Sequence, residues 1–289
     1  MASRQSGLLR WKIGDVTITR VVESTNSELG PILFPELSRA EIDAVSWLRP
    51  YFVDADGKMV LSFHALVVES SGRRILVDTC VGNDKERPVV PEWHMRTGPF
   101  LSDLAAAGAP RESIDTVLCT HMHIDHVGWN TMKVGERFVP TFPNARYLFG
   151  RTEWEHWKDE PEDFGPVITD SVRPIVDAGL ADLVEGEHRV TEEVWLESTP
   201  GHTPGHVSVR IRSRGEDAVI TGDVMHHPLQ IARPSVCPFV DFDDEQSRRT
   251  RRSFLERCAD KPMLVIGTHF AAPTAGRIVR DGDTFRFAV

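Results

Sequence analysis

The chain has 289 residues, of which 40% are hydrophobic and 26% are charged, proportions typical of a globular protein with a substantial core. Its formal net charge of −10 argues against a general affinity for nucleic acid, because a phosphate-binding surface needs an excess of Lys and Arg. No run approaches the roughly 18 apolar residues that cross a bilayer, and the polar segment 1–7 lacks the features of a secretory signal. The four cysteines form no C-x-x-C pair, so we expect reduced thiols and a cytoplasmic protein that binds neither membrane nor nucleic acid.

In chain order, short segments rich in Val, Ile and Leu and bounded by turn residues predict β-strands. They cover residues 17–22, 63–68, 74–78, 116–120, 146–149, 194–198, 207–211, 218–221 and 264–268. Ser70, Ser71 and Gly72 lie between the second and third of these segments and predict a hairpin turn.

Helices are predicted between these strands. Ser38 and Glu41 have the spacing of a capping box at the start of one helix. The other helical patterns cover residues 99–107, 153–157, 167–178 and 245–258. The last pattern contains Arg248, Arg249, Arg251 and Arg252. We interpret these arginines as a solvated helix face rather than a basic binding patch.

No internal repeat, low-complexity segment or flexible linker interrupts this succession. Because strands and helices are mixed in both halves, we expect an α/β (α+β) chain with two packed sheets and helices outside them. We predict a single domain over residues 1–289, in which residues 1–10 are poorly ordered.

A dense cluster of possible metal ligands follows the predicted strand at 116–120. His121, His123, Asp125 and His126 fall within six residues. On an extended stretch, side chains at i and i+2 point the same way, so His121 and His123 can bind one ion together. Asp125 and His126 follow a turn and can reach a second ion. Neutral imidazole and carboxylate suit zinc, iron or manganese, which indicates a metal site.

Three further candidate ligands each close a predicted strand. His202 lies in the segment Thr-Pro-Gly-His-Thr-Pro-Gly-His at 199–206, Asp223 ends Thr-Gly-Asp, and His269 ends Gly-Thr-His. Pro and Gly in the first of these segments predict a tight turn that presents a side chain at the sheet edge. Each signal is weak alone. Together they show the same arrangement several times, in which a candidate metal ligand follows the end of an apolar strand.

The ordered set H-x-H-x-D-H, T-P-G-H-T-x-G-H, G-D and a late His resembles the metallo-β-lactamase-fold hydrolase superfamily over residues 17–269. This resemblance implies a four-layer αββα sandwich of two mixed sheets, with the metal site at one edge. It assigns His121, His123 and His202 to a first ion and Asp125, His126 and His269 to a second, with Asp223 bridging both. It also implies that His206 and Asp78 support the site from outside the ligand set, although a ligand role for His206 stays open. Cys80 stands where the family normally has Gly, which leaves the local loop shape open.

The chemistry implied by this ligand set is hydrolysis. Two divalent ions, most suitably zinc, would share Asp223 and lower the pKa of a bridging water to give a hydroxide nucleophile. The ions would also accept the negative charge that develops on a carbonyl or phosphoryl oxygen. Asp125 is the candidate for taking or relaying a proton. The expected partner is a small-molecule substrate, and a homodimer is an open alternative to a monomer.

Other branches of the superfamily fit less well. Asp223 argues against a typical β-lactamase, which generally lacks a bridging carboxylate, and His123 stands where flavodiiron proteins have Glu. The chain also lacks an evident glutathione-binding signature of glyoxalase II and the nucleic-acid-binding segments of the nucleases. What remains resembles the branch of N-acyl homoserine lactonases and methyl parathion hydrolase.

One departure from that branch concerns His226. Many of its lactonases have a Tyr three residues after the bridging Asp, where this chain has His226. An imidazole can donate a hydrogen bond to an oxyanion, so we predict a catalytic role, with loop support as the alternative. The predicted activity is opening of a lactone or cleavage of a related ester. A phosphotriester or aryl ester hydrolase and a mononuclear iron oxygenase on the same fold are the alternatives.

Aromatic and histidine side chains near these motifs are candidates for the walls of a substrate pocket. They are Phe63, His64, Trp93, His94 and Trp129. Trp154 and Trp157 have helical spacing, and we expect both in the core.

Overall fold

Two mixed β-sheets form the centre of the molecule, whose computed structural model describes residues 8–289. The strands are β1 (Arg10–Ile13), β2 (Val16–Asn26), β3 (Leu61–Ser70), β4 (Arg73–Val77), β5 (Thr116–Leu118), β6 (Thr131–Val134), β7 (Arg137–Pro140), β8 (Arg146–Gly150), β9 (Ala181–Val184), β10 (Val194–Ser198), β11 (Val207–Ser213), β12 (Glu216–Ile220), β13 (Met263–Ile266), β14 (Ala275–Asp281) and β15 (Thr284–Ala288). The first sheet has the order β1-β2-β3-β4-β5-β8-β9, the second runs from β10 to β15 in sequence order, and β6 and β7 form a separate hairpin. Parallel pairs such as β4 with β5 and β12 with β13 occur beside antiparallel ones, so both large sheets are mixed.

The helices are short except for the last. They are α1 (Gly30–Leu33), α2 (Arg39–Asp43), α3 (Phe100–Ala106), α4 (Arg151–Trp157), α5 (Arg173–Asp177), α6 (Leu229–Ala232) and α7 (Asp244–Cys258). The capping box predicted at Ser38 and Glu41 is present at the start of α2. A π-helical turn, Ile168–Val172, leads directly into α5. Within residues 8–289, none of these helices combines the length and the apolar character needed to cross a membrane.

Alternation along the strands produces the layers. In β4, Ile75 and Val77 point into the core between the two sheets, whereas Leu76 points outward and belongs to the cluster that contains residues of α3, α4 and α5. In β12, Ile220 lies between the sheets and Val219 packs with Phe254 of α7. Each sheet therefore buries one face against the other sheet and one face against helices. This arrangement confirms the predicted αββα sandwich.

All nine predicted strands coincide with observed strands, with small differences at their ends. Ser71 and Gly72 form the predicted hairpin turn with positive φ angles of 53° and 75°. Strands β1, β6, β7, β9, β14 and β15 were not predicted, and most of them lie at sheet edges or in the separate hairpin, where polar residues weaken the pattern. Of the residues expected to be poorly ordered, 1–7 lie outside the described range. Arg10 is paired with Thr19 of β2.

The loops after β5, β10, β12 and β13 meet at one edge of the sandwich. The amide of Val207 donates to the carbonyl of Thr120 at 3.0 Å, which joins the two sheets beside the first motif. The amide of Thr221 donates to the carbonyl of Ile266 at 3.0 Å, which aligns the ends of β12 and β13. Strand order thus brings together four loops that are far apart in the sequence.

Candidate metal centre

Asp223 lies at the middle of a cluster of imidazole groups. Its Oδ2 atom is 3.3 Å from His126 Nε2, 3.4 Å from His202 Nε2 and 3.7 Å from His121 Nε2. Its Oδ1 atom is 3.2 Å from His269 Nε2. The carboxylate therefore faces ligand candidates from the other three loops.

The predicted ligands fall into two groups around this carboxylate. In each group the potential ligand atoms lie within 4.8 Å of one another. One group is His121, His123 and His202, and the other is Asp125, His126 and His269. Asp223 forms a further group with His121 and His126, so it stands between the two. The structure brings together all seven predicted side chains in the predicted partition, and their binding of metal remains a prediction.

Outer partners orient four of the imidazole rings. The pairs are His121 Nδ1 with Thr120 Oγ1 at 3.1 Å, His126 Nδ1 with Asp78 Oδ2 at 3.0 Å, His202 Nδ1 with Asp241 Oδ1 at 2.8 Å and His269 Nδ1 with the Ser62 carbonyl at 3.2 Å. Carboxylate and carbonyl oxygens only accept hydrogen bonds, so Nδ1 is the donor in the His202–Asp241 and His269–Ser62 pairs, and Nε2 of each ring points inward. Pairs of such Nε2 atoms approach to 3.1–3.2 Å, a donor set that fits divalent transition-metal ions.

Burial and charge also suit a cation. Burial lowers the pKa of His121, His123 and His202 well below the usual range, which keeps these imidazoles neutral and able to bind metal. Burial opposes protonation of His126 as well, but the carboxylates of Asp223 and Asp125 outweigh it and raise the pKa of His126. The carboxylates thus favour positive charge at the second group.

His206 lies behind the cluster rather than in it. Its Nδ1 atom is 3.0 Å from the Thr199 carbonyl, so Nε2 is left to accept the backbone N–H of Asp223 at 2.7 Å. Gly222 makes this contact possible, because its φ is +54° and a Cβ atom there would lie 2.4 Å from the His206 ring. His206 therefore positions the Asp223 backbone, in agreement with the predicted supporting role.

The loop after β4 supports the site from the other side. Asp78 Oδ1 accepts the backbone N–H of Thr120 at 2.8 Å, while its Oδ2 faces His126. Asp78 and Cys80 both adopt positive φ angles, 56° and 51°, which non-glycine residues rarely adopt. Cys80 thus takes up the left-handed conformation at the position where the family normally has Gly.

His226 lies beside the ligand cluster. Its Nε2 atom is 3.1 Å from Asp223 Oδ2, and its ring stacks on His269 with centroids 5.5 Å apart. Its backbone N–H donates to Gln230, which holds the loop. The neighbouring His227 points away and contacts the Phe52 carbonyl at 2.8 Å. Of these two adjacent histidines, only His226 has its ring at the metal centre.

Sequence reasoning missed Glu153, a carboxylate that is 1% exposed. Its oxygens accept the backbone N–H of Met122 at 3.0 Å, the backbone N–H of Gly205 at 2.9 Å and the indole N–H of Trp157 at 2.7 Å. Met122 separates His121 from His123, and Gly205 belongs to the His202 loop. Glu153 therefore links the two segments that supply the first ligand group.

Arg251 and Asp241 form a second missed connection. Arg248, Arg249 and Arg252 are exposed, as expected for a solvated helix face, but Arg251 is completely buried, so that interpretation is wrong for this residue. Its guanidinium donates to the Val224 carbonyl at 2.7 Å and to Asp241 Oδ2 at 3.3 Å. Arg251 falls at helical spacing with the buried residues of α7, a signal that was present in the sequence.

A cavity of about 470 Å³ opens beside the candidate metal centre. Apolar residues from several segments line it, including Leu33, Phe63, Trp93, Ile168 and Phe242. The prediction that Phe63 and Trp93 line a pocket is therefore confirmed.

Other aromatic predictions differ in outcome. Trp129 stacks on Phe100 in the core, with centroids 5.7 Å apart, instead of lining the cavity. Trp154 is buried as expected, whereas Trp157 lines the cavity and lies 5.4 Å from the His123 ring. His64 and His94 are not among the lining residues.

Comparisons with known proteins agree with this geometry. An N-acyl homoserine lactonase from Bacillus sp is 26% identical over 58% of this chain and 61% of its own length. A beta-lactamase-like protein 2 homolog from Drosophila melanogaster is 33% identical over 53% of this chain and 44% of its own length. The chain thus matches less than two thirds of the length of these curated relatives.

Solved structures are similar over nearly the whole chain. The hydrolase AbOPH of the beta lactamase superfamily has a TM-score of 0.81 and 25% identity, covering 99% of this chain and 98% of that chain. AidC, a dizinc quorum-quenching lactonase, has a TM-score of 0.80 and 21% identity, covering 97% and 96%, and supports the fold. The sequence model of the metallo-beta-lactamase superfamily matches residues 63–269, which include every predicted ligand. The chain therefore belongs to the metallo-beta-lactamase superfamily.

Proposed function

We propose that this protein is a dinuclear metal-dependent hydrolase that opens a lactone or cleaves a related ester of a small, partly apolar molecule. The observation that carries the proposal is the convergence of inward-facing Nε2 atoms and two carboxylates on the floor of an apolar cavity. Relatives named N-acyl homoserine lactonases support the reaction class, and a dizinc structural neighbour supports zinc as the metal. The four free thiols support a reducing compartment such as the cytoplasm.

The proposed residue roles follow from position. His121, His123 and His202 would hold one ion, Asp125, His126 and His269 the other, and Asp223 both. When bound, two such ions lower the pKa of water and polarise a carbonyl oxygen.

Two side chains would act directly on the substrate. Asp125 Oδ2 lies 3.5 Å from His269 Nε2 at the edge of the cluster, and Asp125 lines the cavity, so it can take or return a proton there. His226 lines the same cavity and can donate a hydrogen bond to the oxygen that gains negative charge. The apolar walls would bind the hydrocarbon part of the substrate and exclude water from this region.

Metal analysis and a substrate panel test the proposal together. The purified, zinc-loaded protein should contain about two ions per chain and hydrolyse lactones or esters faster than β-lactams. Asp223→Ala should lose at least one ion, while Asp283→Ala, a control at an exposed turn, should keep both. One iron per chain with no hydrolysis would favour the oxygenase alternative, and turnover of phosphotriesters alone would favour the phosphotriesterase alternative.

A further inference from the structure

A buried cluster of charged side chains lies outside the metal centre. Asp170 binds Arg87 through two hydrogen bonds, from Nη1 to Oδ2 at 2.8 Å and from Nη2 to Oδ1 at 2.9 Å. Lys85 Nζ is 3.4 Å from Asp170 Oδ1 and donates to Thr131 Oγ1 at 2.6 Å. Lys85 and Arg87 are both 0% exposed, and Asp170 is 2% exposed. Ionised side chains this deeply buried are expensive, so the cluster needs a physical explanation.

The cluster joins two segments that both contribute residues to the cavity wall. Lys85 and Arg87 begin the 84–95 loop, which places Val89, Val90 and Trp93 against the cavity. Asp170 ends the 160–170 segment, which places Phe164, Val167 and Ile168 against it. The Arg87–Asp170 pair thus joins two wall segments that have no sheet hydrogen bonds between them, and Lys85 adds a longer contact to the same carboxylate.

A glycine contact fixes the same two segments at a second point. Gly165 has a φ of +105°, and a Cβ atom on it would lie 2.3 Å from the Glu86 carbonyl oxygen. Arg87 Nη1 donates to that same carbonyl at 2.8 Å. The two backbones therefore lie too close at this point for any residue larger than glycine, and Gly165 itself lines the cavity.

We propose that Asp170 is a positioning residue that sets the spacing of the two cavity walls and thereby selects substrates by the size of their apolar part. Without its carboxylate, the buried Arg87 guanidinium on the 84–95 loop loses its ionic partner on the 160–170 segment, and the two segments separate. The reacting groups at Asp223 are untouched. The inference about substrate choice rests on the proposed hydrolase function.

Two lactones that differ in their hydrocarbon tail test this idea. γ-Butyrolactone has no tail, and γ-decalactone has a six-carbon tail. In Asp170→Asn, the ratio of kcat/KM for γ-decalactone to that for γ-butyrolactone should fall about tenfold, equivalent to lost contact with roughly two methylene groups. The kcat for γ-butyrolactone and the metal content should stay within about twofold, a KM-against-kcat split that general destabilisation does not produce.

A second variant covers the case in which Asp170→Asn does not fold. Gly165→Ala keeps every charge but places a methyl group between the walls, so the same ratio should fall. Gly14→Ala is the matched control, because Gly14 also has a positive φ and a Cβ there would lie 2.5 Å from the Ser213 carbonyl, far from the cavity walls. Lys85→Met leaves the Arg87–Asp170 pair intact and should keep the parent ratio.

An unchanged ratio in folded Asp170→Asn or in Gly165→Ala would overturn the inference, as would an equal fall of the ratio in Gly14→Ala.

Binding of 1-octanol to the metal-loaded protein, measured by calorimetry, separates this inference from the proposed function. If the parent protein hydrolysed neither lactone, the hydrolase proposal would fail for lactones. A roughly tenfold weaker octanol affinity in Asp170→Asn would still support the wall-spacing role, and an equal affinity would overturn it.

Discussion

Replacing Lys85 with Met is expected to stabilise the protein at low pH and to lose that advantage as the pH rises. Burial, and to a smaller extent the nearby Arg87 cation, lowers the pKa of Lys85 from 10.5 to about 7 against the opposing effects of Asp170 and Asp84. The unfolded chain therefore binds this proton more tightly than the folded chain. The cost of the buried charge is present in full below pH 7 and is relieved between pH 7 and about 10.5.

The magnitude follows from the two pKa values. At about 1.4 kcal/mol per pH unit, the difference between 10.5 and about 7 corresponds to about 5 kcal/mol. The variant also loses the hydrogen bonds of Lys85 to Thr131 and the Asp170 carbonyl, which removes about 1–3 kcal/mol. Lys85→Met should thus be more stable than the parent by about 2–4 kcal/mol at pH 6, and this gain should shrink by about 1.4 kcal/mol per unit above pH 7.

Urea unfolding of parent and variant from pH 6 to pH 10, followed by tryptophan fluorescence at constant saturating zinc, measures this difference. Metal-linked protonation occurs in both proteins and cancels when their free energies of unfolding are subtracted. Lys133→Met replaces an exposed lysine and controls for the change in net charge. A stability difference between parent and Lys85→Met that is the same at pH 6 and pH 10 would refute the reasoning.

Three further predictions concern the metal centre. His202→Ala should abolish most activity and release metal, whereas His206→Ala should cost about 10–100-fold, because it acts only through the Asp223 backbone. His226→Ala should lower kcat by about 10²–10³ at intact metal content, and His226→Tyr should retain more activity because the phenol restores a donor. Glu153→Gln should weaken zinc binding about 10–100-fold, since an amide cannot accept all three N–H groups that the carboxylate accepts. Elemental analysis and steady-state kinetics measure each effect.

Each of these predictions has a contrary outcome. A larger loss in His206→Ala than in His202→Ala would mean that the ligand is His206. Parent turnover of every substrate by His226→Ala would make His226 a loop residue only. Zinc binding by Glu153→Gln equal to that of Glu155→Gln, an exposed carboxylate on the same helix, would contradict the linking role of Glu153.

The amino-acid sequence by itself predicted nine of the fifteen strands in residues 8–289 and the candidate ligand set. His121, His123, Asp125 and His126 are close in the chain, so their geometry is set by local backbone conformation at a strand end. The strand at 194–198 was predicted with the observed ends, and its buried residues Val194 and Leu196 alternate with less buried ones. His202, Asp223 and His269 each close such a strand, which made them recognisable without knowledge of the strand order.

The tertiary structure alone decided how buried charges are paired. Arg87 and Asp170 lie 83 residues apart, and nothing in the local sequence of either residue indicates its partner. The partners of Glu153 could not be predicted from its local sequence either, because the three N–H groups that it accepts come from two loops and from its own helix. Hydrophobic periodicity predicts which face of a helix or strand is buried. The partner of a buried charge depends instead on which segments the strand order brings together, and that order is set by packing of the whole chain.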